Sequence, residues 1–199
     1  MGKRTTMRYS ALALFSLAFG FEEAIIVLYI RRLMTHGGSA SYAPAAMIPP
    51  QIYFLEMGRE VATLGVIAAV VWLAGSSARE RVRGFLFAFG AWDLVYYAAL
   101  WMLSGYPTLT SYDVLFLVPV PWIAPVWAPV AFAAALVALG YFGIAERRGG
   151  LLILGLALGF ISFVSVPVAH AYPLWLFAPA LACVLCALPS RRLSHQLER

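Results

Sequence analysis

The chain has 199 residues, 63% of them hydrophobic and 12% charged, with a mean hydropathy of +0.85; soluble domains carry about 25% charged residues. That composition excludes an ordinary soluble globular protein. The formal charge of +5 is spread along the chain rather than gathered into one basic patch, so no nucleic-acid partner is expected.

Six apolar stretches follow one another: Tyr9 to Ile30, Tyr53 to Ala74, Gly84 to Leu103, Tyr112 to Tyr141, Leu151 to His170 and Pro173 to Leu188. A bilayer core takes about 20 apolar residues in a helix, and the stretches show no two-residue alternation, so helices are predicted rather than barrel strands. Lys3, Arg4 and Arg8 precede the first stretch in the manner of a secretory signal, but the stretch is long and contains Glu22 and Glu23, and is read as an uncleaved span. Cys183 and Cys186 lie one helical turn apart in the last stretch without polar company. They are read as small packing residues.

The fourth stretch is about 30 residues long, and Pro119, Pro121, Pro125 and Pro129 interrupt its first half. Each proline removes a backbone donor and obstructs the preceding turn. The expectation is a re-entrant or interfacial segment near 112–120, then a span over 121–141. The predicted fold is an all-α integral membrane protein, a single six-helix transmembrane domain over 1–199 with a proline-broken fourth segment. Its spans are placed near 9–30, 53–74, 84–103, 121–141, 151–170 and 173–188.

With six spans, Lys3, Arg4, Arg8, Arg79, Arg81, Arg83, Arg147, Arg148, Arg191, Arg192 and Arg199 fall on one side, and Arg31, Arg32 and Arg59 on the other. Basic residues favour the cytoplasmic side. Both termini are therefore expected inside, in a multi-pass protein of the cytoplasmic (inner) membrane.

The acidic residues carry the functional expectation. Glu80, Glu146 and Glu198 sit among the cytoplasmic arginines; Glu22, Glu23, Glu56, Glu60, Asp93 and Asp113 belong to the other half. At 1.5 Å per residue, Asp93 lies about 15 Å from the cytoplasmic end, Glu22, Glu23 and Glu60 about 20 Å, and Glu56 about 27 Å. A charged Asp or Lys at the centre of a membrane helix costs roughly 2.5–3.5 kcal/mol, and such residues usually face the bundle interior and carry function. Three arginines oppose six acids in that half, so protons or a bound cation are needed to balance the rest.

Glu56 and Glu60 share a helix face that Thr63 continues inward, and Asp93 shares one with Tyr97 and Trp101. Glu22 and Glu23 point about 100° apart, so at most one faces the same centre. A metal site is predicted from Glu22 or Glu23, Glu56, Glu60, Asp93 and His170, with Arg31, Arg59, Tyr97, Asp113 and Thr63 around it. Carboxylates with a histidine suit Fe, Mn or Zn, whereas carboxylates alone suit Mg or Ca. The plainer readings are an ion pair of Glu56 with Arg59, a hydrogen bond from a tyrosine or Arg59 to Asp93, an interfacial His170 and a capping Asp113. No phosphate-binding loop, zinc-protease motif or paired Glu-x-x-His motif occurs.

Three functions follow as expectations: a membrane metalloprotein or metalloenzyme, a small cation- or proton-coupled transporter, and an accessory subunit whose acids pair with arginines or with a partner membrane subunit or second copy. The lipid bilayer is the one partner common to all three.

Overall fold

The computed structural model describes residues 3–34, 50–166 and 171–189, and His170 and the stretch 35–49 lie outside them. The described residues form six helices: α1 Lys3–Met34, α2 Pro50–Ala74, α3 Ala78–Ser104, α4 Trp127–Phe142, α5 Gly149–Val164 and α6 Leu174–Cys186. Two strands, β1 Tyr112–Phe116 and β2 Trp122–Pro125, stand between α3 and α4. Within α1, α2 and α3 respectively, Thr5–Leu33, Ile52–Ala74 and Ala78–Ser104 are long and apolar enough to cross a membrane. The shorter α4, α5 and α6 are apolar but have 16, 16 and 13 residues, about 24 Å or less.

The all-α expectation fails over 112–125. There the chain forms an antiparallel hairpin in which Tyr112 faces Pro125, Asp113 faces Ala124 and Val114 faces Ile123, with an irregularity before Phe116 meets Trp122. The proline positions explain it. Pro119 and Pro121 occupy the connection and Pro125 the last position of β2, where a missing ladder donor is tolerated. Pro129 falls in the first turn of α4, where a helix needs no donor. Consequently α4 begins at Trp127, later than the expected span start at 121.

α3 is the central helix. Ser77 caps its start, its hydroxyl accepting from the Glu80 N–H at 3.3 Å while the Glu80 carboxylate accepts from the Ser76 N–H at 2.9 Å. Gly105 ends it in the left-handed conformation, φ 71°. α1 and α4 pack on either side of α3, α5 pairs with α6, and α2 packs chiefly along α3. The α3–α4 seam is tight where the Phe87 backbone meets Gly140: a Cβ there would lie 2.5 Å from the Phe87 nitrogen and 2.7 Å from the Arg83 carbonyl.

Cross-links fix the helix directions. Arg8 pairs with Glu80 at 2.8 Å, the Tyr9 hydroxyl donates to the Gly140 carbonyl at 2.6 Å, Arg83 donates to the Tyr141 carbonyl and Arg148 to the Cys186 carbonyl, both at 2.7 Å. The starts of α1, α3 and α5 and the ends of α4 and α6 therefore share one end of the bundle, which is the arginine-rich end. The hairpin and the end of α1 lie at the other.

Candidate functional site

Five of the acids predicted from the sequence gather at the hairpin end, together with two arginines. Arg59 on α2 bridges Glu56, one turn earlier, at 2.8 Å, and Glu23 on α1. The Thr63 hydroxyl donates to the second Glu23 oxygen at 3.5 Å. Arg31, near the end of α1, donates to both oxygens of Asp113 at 2.7 and 2.8 Å, and Asp113 also accepts from the Val114 N–H. Asp113 is 1% exposed, the most deeply enclosed acid of the group.

Glu60 stands one turn after Glu56 and turns to the hairpin, accepting from the Leu117 N–H at 2.8 Å. This bond matters because the hairpin backbone enters the bundle interior. Phe116 packs on Phe89 and Trp92 of α3, while Trp122 packs on Phe160 and Phe163 of α5. Irregular backbone at membrane depth is tolerated only where protein covers it and its polar groups find partners. Glu60 holds the tip, the Arg31–Asp113 pair the first strand, and the Tyr53 hydroxyl donates to the Leu117 carbonyl at 3.4 Å.

These groups line a pocket of about 100 Å³ bounded by α1, α2, α3 and β1. Its walls carry Glu23, Glu56, Glu60, Asp93 and Asp113 against Arg31 and Arg59, five carboxyl and two guanidinium groups, with Thr63 and Tyr96 between them. Asp93 is the exception among the acids. It is half-buried, and among the described residues its carboxyl has no hydrogen-bond or ion-pair partner, neither a tyrosine nor Arg59.

A second, apolar cavity of about 570 Å³ lies toward the arginine-rich end, between α2, α3, α4 and α5, with the hairpin as its roof. Asp93, Leu115 and Phe116 border both spaces. The carboxyl of Asp93 thus sits where a charged pocket meets an apolar one.

Other predicted positions fall outside this arrangement. Glu22 is exposed and turned away, since Glu23 takes the inward face of α1. The Tyr97 hydroxyl is buried without a partner among the described residues, and Tyr97 does not line the pocket. Trp101 is exposed. Among the described residues no group of three or more His, Cys, Asp or Glu side chains converges as a metal site, and three of the five acids are paired with Arg31 or Arg59. Tyr96 and the Leu117 N–H belong to the site without being predicted from the sequence, the latter because a backbone donor has no signature there.

A search among known proteins finds no matching family model, no matching curated protein and no matching solved structure. What the fold itself defines is a mostly helical chain with, among the described residues, three helices long and apolar enough to cross a membrane.

Proposed function

We propose that this is a polytopic membrane protein whose function resides in the acid-rich pocket, which holds a small hard cation in exchange with protons at Glu60 and Asp93. The observation that supports it is the charge balance of one small pocket: five carboxyl groups face two guanidinium groups, a formal excess of three negative charges. Arg31 balances Asp113, and the single Arg59 is shared by Glu23 and Glu56, which leaves one negative charge between them. Among the described residues Glu60 meets only backbone N–H groups by hydrogen bond, those of Leu117 and Val118, and Asp93 has no hydrogen-bond or ion-pair partner, so two of the three compensating charges belong at these two. Carboxylate oxygens without nitrogen or sulfur donors suit a hard cation better than Fe or Zn.

The six-span topology with both termini inside belongs to the same reading. Arg8, Arg79, Arg81, Arg83, Arg147 and Arg148 lie at one end of the bundle, as basic residues do on the cytoplasmic side. The hairpin supplies the depth that the short α4 lacks. Below Asp93 the apolar cavity replaces any polar continuation, which favours a site served from the outer side over a through-going transport path. An accessory-subunit role draws its support from the internal Arg31 and Arg59 pairs, which that reading requires.

The test is calorimetric titration of the purified protein with Na⁺, Mg²⁺, Ca²⁺ and Mn²⁺, with metal analysis by mass spectrometry, repeated on Glu60→Gln and Asp93→Asn. Saturable binding of a hard cation that both variants weaken at least tenfold is expected. Stoichiometric Fe or Zn, or no binding of any cation, would overturn the reading.

A further inference from the structure

The apolar cavity shares only Asp93, Leu115 and Phe116 with the acid-rich pocket, and its chemistry differs. Arg81, Phe85, Phe89 and Asp93 recur every fourth residue on α3, so one helix face lines the cavity from end to end. The two charged residues of that lining stand at opposite ends of the stripe, twelve residues or about 18 Å apart. That is close to the depth of one leaflet, half of a hydrocarbon core of roughly 30 Å. Everything between is apolar or aromatic, with Phe132, Phe160 and Phe163 completing the wall.

Arg81 marks the end nearest the arginine-rich face. Its guanidinium stacks on the exposed Trp72 ring, 3.6 Å from the centroid, and its Nε donates to the Gly75 carbonyl at 3.1 Å. No carboxylate among the described residues pairs with it, because the adjacent Glu80 is taken by Arg8 at 2.8 Å and by the Ser76 N–H. Arg83, two residues on, is used differently, donating to the carbonyls of Gly140 and Tyr141. The stacked, half-buried Arg81 is thus held in place with its terminal nitrogens available, in the planar fork geometry that matches phosphate oxygens.

We infer that the cavity is a binding site for an anionic, phosphate-headed lipid of one leaflet, its phosphate at Arg81 and one acyl chain running along Phe85 and Phe89 toward Asp93. Charge complementarity selects the head. The length of the stripe and the cavity volume of about 570 Å³, within the range of sites that enclose a small ligand, select the chain. Entry is lateral, between α2 and α5, which do not pack closely on each other.

Native mass spectrometry of the purified full chain, loaded with an equimolar mixture of phosphatidylglycerol and phosphatidylcholine, tests this. One retained phosphatidylglycerol per chain is expected, preferred at least fivefold. Arg81→Gln is expected to abolish that preference, Arg79→Gln, at an exposed position outside the cavity lining, to keep it, and Ala68→Phe, which fills the cavity from the exposed face of α2, to lose the bound lipid altogether. Equal loss of preference in Arg79→Gln and Arg81→Gln would reduce the effect to general surface charge and overturn the assignment of the head. Retention of the lipid in Ala68→Phe would overturn the assignment of the chain, and free inorganic phosphate competing as well as the lipid would overturn both.

Discussion

The two spaces on either side of the hairpin are built on opposite principles, although Asp93, Leu115 and Phe116 border both. The pocket at the hairpin end is small and charged, and its geometry is held by ion pairs between helices and by bonds to strand backbone. The cavity toward the arginine-rich end is more than five times as large, apolar, and shaped by aromatic side chains with no polar bond across it among the described residues. The difference teaches where each is vulnerable. Charged contacts fail when one partner is removed, because the remaining charge stays enclosed, whereas an apolar cavity tolerates added bulk until it is full.

The sharpest way to break the charged side is Arg31→Leu. It leaves the Asp113 carboxylate, 1% exposed, with only the Val114 N–H as a hydrogen-bond partner; breaking a buried pair in this way costs roughly 3–5 kcal/mol. Unfolding in detergent should shift accordingly, with hydrogen exchange over 112–125 accelerated first. A similar or slightly smaller loss, about 3 kcal/mol, is expected from Gly140→Val, since the new Cβ meets backbone on α3 and the overpacked seam has to open. That variant should disturb both spaces together, because α3 walls each of them.

Smaller effects separate the two spaces. Glu60→Ala leaves the Leu117 N–H without its acceptor and should cost about 1–3 kcal/mol, whereas Glu60→Gln keeps an acceptor oxygen and should cost less than half as much while still weakening cation binding. Melting curves with and without the bound cation distinguish them. Smallest of all, Ala68→Phe on the exposed face of α2 should leave stability within about 0.5 kcal/mol.

How much of this was legible in the sequence depends on the kind of contact. The apolar runs predict α1, α2 and α3 closely, because a long span needs only composition and length. The ends of α5 and α6 are harder, as 167–170 and the site residue predicted there, His170, lie outside the described residues. The prolines of the fourth run announce that a helix is interrupted, but not that the interruption is a hairpin. Strand pairing of Asp113 with Ala124 is a relation between distant residues that no local pattern encodes.

Among the acids, the angular argument separates Glu22 from Glu23 without saying which turns inward; packing of α1 on α3 decides for Glu23. The Glu56–Arg59 contact was readable because it lies within one helix turn, while Glu23–Arg59 and Arg31–Asp113 are contacts across the fold. The stripe of Arg81, Phe85, Phe89 and Asp93 was present in the sequence as a four-residue repeat. Its meaning depends on the aromatic residues between the charges and on the cavity they line, which no spacing of carboxylates indicates.

The central claim is that Glu60 and Asp93 hold two of the three positive charges that balance the acid-rich pocket. It is tested most directly by measuring proton release as the hard cation identified by titration is added to the purified protein in weak buffer. The account predicts stoichiometric release in the wild type, reduced in Glu60→Gln and in Asp93→Asn and absent when both are combined, with Glu22→Gln unchanged. Release that persists in the double variant, or a cation that binds without displacing protons and is indifferent to both substitutions, would contradict it.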